Sequence, residues 1–515
     1  MSTVAHQPEM TTVVVSFETV DGGTSGTTSV LTTGSHADEE VVALKTYLQS
    51  TFGWKPDDIA LEMYEPCKYV ILFYTASLRF LRECSVVVSE GGTTTETDKE
   101  TVQKELCEYI RRNQIRELDL NDIYSYYNIT AICERAFYYC TSLTTIAIPD
   151  SIPAIGDATF AGCTSLTTIA IPDSVTYIGM HAFQGCRSLT TIAIPDGVTE
   201  IGMHAFWGCT SLTTIAIPDI VTAIGDNAFR GCRSLTTIAI PDSVTAIGDN
   251  AFRGCRSLTT IAIPDGVPAI GASAFDFCTS LTTVVIPDSI TSIGTFAFNK
   301  CKSLMTVAIP VNVITICDYA FLECTSLTTV AIPDSVTTIG SAAFNSCRSL
   351  TTVVIPDSVI AIGEYAFEGC SSLTTVAIPD SVTAIDAYAF DGCTSLTTVA
   401  LPDSITAIGR NAFKGCTSLT TVALPDSITA IGGAAFEDCL SLITVAIPSS
   451  LTTIRARTFA GCSSLTTVAI PYSILAICDY AFTGCTSLMT IAIPSSLTAI
   501  REKAFAHCTQ VSRGL

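Results

Sequence analysis

Apolar residues recur along most of the chain in an order that repeats every 23 residues. The first copy places them at Leu143, Ile146, Ile148, Ile152, Ile155, Phe160 and Cys163. Cysteine returns at this interval without a break from Cys140 to Cys508, which gives 16 complete repeats. A fixed period this short predicts a solenoid in which each coil contacts only its neighbours.

Each repeat contains the signals of one short strand and two turns. Ile146 and Ile148 alternate with a small residue, which predicts a strand that points both isoleucines inward. Pro149 cannot donate to a sheet ladder and should end that strand. The pair that follows, Asp150-Ser151, predicts a turn. Gly156 is expected to allow the next corner, so that the chain returns to the interior at Phe160.

Residues 1–98 do not repeat, and they predict a small α+β domain. The predicted strands are 11–17, 27–33, 59–63, 69–73 and 84–88, and a helix is predicted over 38–52. This order, together with the segment 56–64, resembles the ubiquitin-like β-grasp fold. An unrelated small α+β cap is the alternative.

A helix and an atypical coil are predicted between this domain and the array. Residues 91–99 form a polar linker, and residues 100–112 predict a helix with an apolar stripe. Ile115, Leu118 and Leu120 then copy the apolar spacing of the first full repeat. We therefore interpret 99–139 as a linker helix and capping repeat, and 140–515 as the array.

The composition limits the classes of partner. The chain carries a net charge of −22 and has a pI near 4.5, which argues against nucleic acid or an anionic membrane as partner. No apolar run approaches the roughly 20 residues of a membrane span, and the amino terminus does not resemble a signal peptide. The chain is therefore expected to be cytoplasmic if it is complete, and secreted or on the cell surface if an export signal precedes it.

Seventeen of the 23 cysteines occupy the repeated position. We expect this ladder to consist of free, buried thiols, because disulfides between alternate neighbours would distort the coils unequally. Such thiols are typical of a reducing compartment.

The outward positions are of two kinds. The residue five places after each ladder cysteine is threonine in all 16 repeats, and the residue two places further on is alanine except at Val285 and Val354. Such a uniform face suits either a long repetitive ligand or simply a stable sheet surface. Variable residues lie next to the cysteines, and the predicted partner-binding residues among them are Arg187, Trp207, Arg230, Arg233, Arg253 and Arg256. Solubility charge on a convex ridge is the alternative.

Candidate metal ligands are sparse. Twelve repeats carry aspartate after the proline, from Asp150 to Asp426, where it could attract Ca²⁺ or serve as a turn residue. His181 and His204 recur at one repeat position beside Met180 and Met203, which is half a metal site at best. The sequence contains no phosphate-binding loop and, outside the repeat, no Ser/His/Asp or Cys/His constellation. We expect no enzyme activity, no cofactor and no metal.

The order Cys, Leu, apolar-x-apolar-Pro, Ile-Gly, Ala-Phe and Cys resembles the leucine-rich repeats of the BspA or Treponema type over residues 140–508. This resemblance implies a right-handed superhelix with a parallel β-sheet on its concave face, and a role in adhesion or recognition. The leading hypothesis is a non-enzymatic scaffold that binds protein or polysaccharide. The alternatives are a cell-surface adhesion protein and an adaptor for a ubiquitin-type pathway. An open last coil also suggests end-to-end self-association.

Overall fold

The computed structural model describes residues 11–18, 25–32, 59–65, 68–73 and 96–508. The chain divides into two compact units. The first unit comprises Met1–Thr130 with Leu143–Pro149, and the second comprises Ala131–Ser142 with Asp150–Leu515.

The first unit contains a four-stranded mixed sheet of β1 (Thr11–Glu18), β2 (Ser25–Thr32), β3 (Ile59–Glu65) and β4 (Lys68–Phe73). The order is β2-β1-β4-β3, with β1 parallel to β4 and the two outer pairs antiparallel. These strands lie at four of the predicted segments. The predicted helix 38–52 and strand 84–88 lie outside the described residues, so the ubiquitin-like fold stays a prediction.

Helix α1 (Glu96–Asn113) follows in the same unit and begins four residues before the predicted start, inside the segment interpreted as a linker. Its apolar stripe, Val102, Leu106 and Ile110, is fully buried, as the 3.6-residue period requires. Within the predicted atypical coil, β5 (Glu117–Asp119) pairs in parallel with β6 (Thr145–Ala147). The sequence did not predict the short helix α2 (Asn121–Tyr126), which occupies the longer turn of this coil.

The repeat array is a parallel β-solenoid with two short strands in most coils. The first strand of a coil is the predicted strand, with the sequence Thr-Ile-Ala, Thr-Val-Ala or, in two coils, Thr-Val-Val. After β6 it occurs at β9 (Thr191–Ala193), β11 (Thr214–Ala216), β14 (Thr260–Ala262), β16 (Thr283–Val285), β18 (Thr306–Ala308), β20 (Thr329–Ala331), β22 (Thr352–Val354), β24 (Thr375–Ala377), β26 (Thr398–Ala400), β28 (Thr421–Val422), β30 (Thr444–Ala446), β32 (Thr467–Ala469) and β34 (Thr490–Ala492). The even-numbered strands from β18 to β34 form a continuous nine-stranded parallel sheet.

The second strand of each coil was not predicted. It has two residues, and its isoleucine is buried in every coil except the last, where Ile500 is exposed. It occurs at β7 (Ala154–Ile155), β8 (Tyr177–Ile178), β10 (Glu200–Ile201), β12 (Ala223–Ile224), β13 (Ala246–Ile247), β15 (Ala269–Ile270), β17 (Ser292–Ile293), β19 (Thr315–Ile316), β21 (Thr338–Ile339), β23 (Ala361–Ile362), β25 (Ala384–Ile385), β27 (Ala407–Ile408), β29 (Ala430–Ile431), β31 (Thr453–Ile454), β33 (Ala476–Ile477) and β35 (Ala499–Ile500). Both strand series pair residues that lie 23 positions apart, such as Val330 with Val353 and Ile339 with Ile362.

The core consists of rows of identical side chains. Each repeated phenylalanine from Phe137 to Phe505 stacks on the next one, with ring centroids 5.3–5.5 Å apart. The ladder cysteines lie beside this stack as free thiols. Each thiol from Cys163 onward donates a hydrogen bond to a phenylalanine carbonyl of the preceding coil, as Cys301 does to Phe275 at 3.2 Å. The predicted ladder of buried thiols is confirmed.

The corner after the second strand is made differently from the prediction. Gly156 and its equivalents do not have positive φ angles, but a Cβ added at Gly202 would lie 2.7 Å from the backbone of Gly179. Glycine is therefore favoured there because consecutive coils approach closely. Two other positions of the coil are left-handed. One lies five positions before the cysteine, with φ between 51° and 60° from Arg135 to Tyr480, and the other lies one position before it, where glycines such as Gly162 have φ of 68–78°. Asparagine at Asn227 and Asn250 suits this conformation.

Neither helix in the described part of the chain combines the length and the apolarity needed to cross a membrane.

The phenylalanine stack allows a matched test of core packing within one coil. Phe298 is fully buried between Phe275 and Phe321, whereas Phe296 is half-buried. We expect Phe298→Ala to lower the free energy of unfolding by about 3–5 kcal/mol, because it opens a cavity in the stack. Phe296→Ala should cost about 1 kcal/mol or less. Urea unfolding followed by circular dichroism measures both, and equal costs would contradict the packing described here.

The thiol ladder predicts a large difference in reactivity between the folded and unfolded protein. Burial raises the pKa of Cys209 and Cys255 to about 12, so these ladder thiols supply almost no thiolate at pH 8. Ellman's reagent should therefore leave the ladder unmodified in native buffer. It should titrate all 23 cysteines in urea. A clear shortfall in urea would instead indicate disulfides and an oxidising compartment.

Candidate interaction surface

The variable side chains of the array lie on one set of turns, which we call the ridge. The ridge comprises the positions six, five, two and one before each ladder cysteine, and the position one after it. Because every coil has 23 residues, each position forms a row along the solenoid. Neighbouring ridge residues in space therefore come from different repeats.

Three of the predicted partner-binding residues occupy the row two positions before the cysteine. These are Trp207, Arg230 and Arg253 on three successive coils, and all are half-buried. The Arg230 guanidinium lies 5.4 Å from the centre of the Trp207 ring and donates a hydrogen bond to Asn227 Oδ1 at 3.1 Å. The structure thus brings Arg230 and Trp207 together as a cation–π pair.

Arg253 has a different environment from Arg230. Its Nε atom lies 3.1 Å from Oδ2 of Asp276, and Asn299 donates to the other carboxylate oxygen at 2.9 Å. Asp276 is buried, and this burial raises the pKa of its carboxyl group although Arg253 opposes the shift. Arg253 is therefore committed to an internal ion pair, which the sequence analysis missed because Asp276 lies one full repeat away.

The other three predicted residues, Arg187, Arg233 and Arg256, form a separate row one position after the cysteine. Their side chains are exposed. Their backbones are fixed, since the carbonyl groups of Arg233 and Arg256 accept hydrogen bonds from the next coil at 3.2 Å. The predicted patch therefore divides into a half-buried row and an exposed row.

Further along the ridge the charges are mixed. Glu437 bridges Lys414 and Arg457, with oxygen–nitrogen distances of 3.0 and 3.1 Å. Half-buried Asp391 lies in the same row. Burial, followed by the charge of Glu368, raises its pKa to about 6. In this part of the ridge, ion pairs thus connect neighbouring coils, and the ionised form of Asp391 is disfavoured by its surroundings.

The ridge also contains aromatic pairs that the sequence analysis did not identify. They lie in the row five positions before the cysteine. Phe296 stacks on Tyr319 with ring centroids 4.5 Å apart, and Tyr365 stacks on Tyr388 with ring centroids 4.6 Å apart. An aromatic residue at the same offset in two consecutive repeats was the available signal. His181 and His204 form a further stacked pair at 4.5 Å.

The threonine-rich face of the first strands is regular. A second row, four positions after the cysteine, is mostly threonine, and its threonines donate hydroxyl hydrogen bonds to the preceding coil, as Thr351 does to Thr328 O at 3.2 Å. The exposed valines Val285 and Val354 interrupt the alanine row. Of the aspartates after the proline, Asp426 accepts two hydrogen bonds from Ser449, which lower its pKa. Among the described residues, no three His, Cys, Asp or Glu side chains are grouped as metal ligands.

Comparisons with known proteins agree with the repeat pattern. The family model described as "BspA type Leucine rich repeat region" matches residues 108–236, 222–351, 337–464 and 383–512. The chain is 35% identical to a leucine-rich repeat protein of Bacteroides ovatus, covering 67% of this chain and 91% of that one with a TM-score of 0.61. It is 31% identical to a leucine rich cell surface protein of Faecalibacterium prausnitzii, covering 68% and 87% with a TM-score of 0.39. A comparison with curated protein sequences gave no match.

The raised pKa of Asp391 predicts a pH-dependent effect of its replacement. Above pH 6 the carboxyl group is ionised in both states, and the folded state bears the cost of burying that charge. Well below the ordinary aspartate pKa of about 3.9, it is mostly protonated in both states. Asp391→Asn should therefore stabilise the protein by about 1 kcal/mol at pH 7.5, a figure reduced for solvent screening, and by almost nothing at about pH 3.

Urea midpoints at the two pH values test this expectation. Asp403→Asn serves as the control, since Asp403 is exposed on a neighbouring coil. A gain that is the same at both pH values would show that the effect of the Asp391 substitution does not come from its charge.

Proposed function

Because the chain belongs to the BspA-type leucine-rich-repeat family, we propose that it is a non-enzymatic scaffold whose ridge recognises an acidic protein or polysaccharide partner. The observation that carries this proposal is the distribution of variability. The core and the threonine-rich face repeat almost unchanged, whereas the ridge differs from coil to coil. A surface that selects one partner needs such differences.

The exposed row of Arg187, Arg233 and Arg256 supplies the recognition chemistry. Guanidinium groups bind carboxylates and sulfates through paired hydrogen bonds. These three side chains extend from backbones fixed by the coil stack, so binding costs less ordering of the protein than on a flexible loop. Trp207 and Arg230 lie on coils of the same stretch of the ridge as a preformed half-buried pair, which is the type of residue that dominates interface energies.

The net negative charge of the whole chain limits the places where an anionic ligand can bind. With a net charge of −22, most of the surface repels an anionic polymer. A basic row within that surface favours one docking position for such a ligand. Positions of one row recur at a regular spacing from coil to coil. Such a row suits a ligand with repeated acidic groups, because several weak contacts then act together.

We expect a triple variant, Arg187→Ala with Arg233→Ala and Arg256→Ala, to lose affinity for anionic polymers. Polyglutamate and polygalacturonate are the probes for an acidic polypeptide and an acidic polysaccharide, and neutral dextran is the reference. The loss should be about tenfold, which corresponds to about 1.4 kcal/mol. Interferometry with the immobilised full chain at low and physiological salt measures it.

Lys302→Ala with Arg348→Ala is the control, since both residues occupy the same exposed row on later coils. It removes two charges and the triple variant removes three, so the losses in binding free energy are compared per charge removed, and the control should lose less per charge. The proposal fails if neither polymer binds more tightly than dextran. It also fails if the two sets of substitutions weaken binding equally per charge, since this would indicate attraction to charge without a site.

A further inference from the structure

We propose that the ridge is also the contact surface between two copies of this chain, which associate antiparallel about a two-fold axis between the coils of Cys301 and Cys324. Each ridge residue is assigned here to the ladder cysteine that it adjoins. The inference rests on the proposed function, since it identifies the acidic partner of the ridge arginines as a second copy. The observation that carries it is the order of residue types along the ridge: a basic stretch, then aromatic residues, then an acidic stretch.

The two ends of this order carry opposite charge. Arg233 and Arg256 are exposed in the basic stretch, and Glu368 and Asp391 are half-buried in the acidic stretch. Burial, and then the charge of Glu368, raise the pKa of Asp391 although Lys414 opposes the shift. The cations of the same chain therefore do not fully compensate these two carboxylates. Arginines of a second copy would supply the missing compensation.

A two-fold axis brings the two stretches together twice. Rotation places each coil opposite the coil that lies at the same distance on the other side of the axis. The arginines adjoin one side of their cysteine and the acids the other, an offset that the long arginine side chain can span. Each exposed arginine of the basic stretch then lies opposite a carboxylate. The pairs are Arg256 with Glu368, Arg233 with Asp391, and Arg187 with the exposed Asp438.

This correspondence of charges is lost when the axis moves. A shift of the axis by half a coil toward the amino terminus places Arg256 opposite Arg348, which lies in the same row. A shift by half a coil in the other direction places Arg233 opposite Lys414. Like charges oppose association in both cases, so the charges of the ridge select one register.

Aromatic side chains lie at the axis itself. Phe296 and Tyr319 belong to the two coils that flank it, and their rings stack with centroids 4.5 Å apart. Both are half-buried, as is Phe277 on the coil before them. The axis places Phe296 opposite Tyr319 of the second copy. An aromatic centre between charged flanks is the usual composition of a specific protein–protein interface.

The curvature of the array suits a contact that is closest at the axis. The phenylalanine rings beneath the ridge are 5.3–5.5 Å apart, whereas paired strands are about 4.8 Å apart. The ridge is therefore on the convex side, and two ridges diverge away from the axis toward the flanks that carry the long charged side chains. At this ring spacing the ridge extends about 60 Å from Cys186 to Cys439, so a strip about 13 Å wide would bury the roughly 800 Å² per partner of a specific complex.

Two aspartates of the basic stretch, Asp226 and Asp249, lie on coils that face acidic coils of the second copy. Each directs its Oδ1 atom to the backbone N–H of the next coil, at 2.8 and 2.7 Å. Because these carboxylates already accept hydrogen bonds within their own chain, they repel the second copy less than free carboxylates would.

Analytical ultracentrifugation of the full chain tests the dimer, and charge reversal tests its register. One variant carries Arg233→Glu with Arg256→Glu, and the other carries Glu368→Arg with Asp391→Arg. The second variant suits the coil stack, since its row already holds arginine on two consecutive coils, at Arg230 and Arg253. Circular dichroism and urea midpoints establish that both variants fold.

We expect the unsubstituted chain to sediment as a dimer at micromolar concentration and each variant alone as a monomer, because like charges then meet on both sides of the axis. An equimolar mixture of the two variants should regain the dimer, since the opposed charges again differ in sign. Arg348→Glu is the control. It changes the same exposed row opposite the uncharged Thr279, so the dimer should persist.

A monomeric unsubstituted chain would overturn the proposal, and so would a mixture of the variants that stays monomeric. Growth into larger oligomers would also overturn it, because a two-fold contact closes at two copies.

The neutral variant Glu368→Gln with Asp391→Asn separates this inference from the proposed function. It should weaken the dimer about tenfold, which corresponds to about 1.4 kcal/mol, and leave the ridge arginines accessible. It should therefore bind polyglutamate at least as tightly as the unsubstituted chain does. If the unsubstituted chain binds polyglutamate but is monomeric, self-association fails and the proposed function stands. If the dimer forms but the neutral variant does not bind polyglutamate, self-association stands and recognition of an external anionic polymer fails.

Discussion

Every inward-facing residue of the array must pack against its own counterpart one coil away. This constraint follows from the 23-residue pairing register of both strand ladders. It explains why the core repeats so strictly, since a residue that fits one neighbour must also fit the other. It also explains the glycine after the second strand, where an added Cβ at Gly202 would meet the backbone of Gly179. The thiol-to-carbonyl bond of each ladder cysteine from Cys163 onward adds a directional contact between the same coils.

A core fixed in this way leaves the ridge free to vary. Side chains in the turns contact solvent on one side, so charge, aromatic character and size can change from coil to coil without altering the stack. The row position still determines which side chains meet. Arg253 finds Asp276 and Lys414 finds Glu437 because each pair shares a position in consecutive repeats. In the solenoid, residues that lie 23 positions apart in the sequence are thus neighbours in space.

Most of the fold could be predicted from the sequence because its signals are periodic. The inward residues, the first strand, the thiol ladder and the atypical coil at 115–120 all follow from apolar spacing. The second strand ladder could not, because two residues such as Ala361–Ile362 carry no alternation to detect. Helix α1 begins at Glu96 because polar residues can form its first turn, and a polar stretch alone does not distinguish such a turn from a linker.

The candidate site was predicted less well, and for a related reason. Arg187, Arg233 and Arg256 were predicted to bind a partner; their side chains are exposed, and their role in binding stays a prediction. The role of Arg253 was missed because its environment depends on Asp276, which has to be sought 23 residues later. The stacked pair Tyr365 and Tyr388 was missed in the same way. A search that aligns the repeats before it compares residues would have found both.

The near-identity of consecutive repeats has a consequence for how the chain reaches this structure. The repeats that begin at Cys209 and Cys232 differ at only two of their 23 positions, so either one offers the phenylalanine, cysteine and isoleucine that an adjoining coil requires. During folding, a coil can therefore dock on the second neighbour instead of the first, which leaves one whole repeat looped out. Such a slip satisfies every row of the core locally and loses only one coil-to-coil interface. The individual residues of the ridge, which form their ion pairs and stacks only in the native order, then help to distinguish correct stacking from slipped stacking.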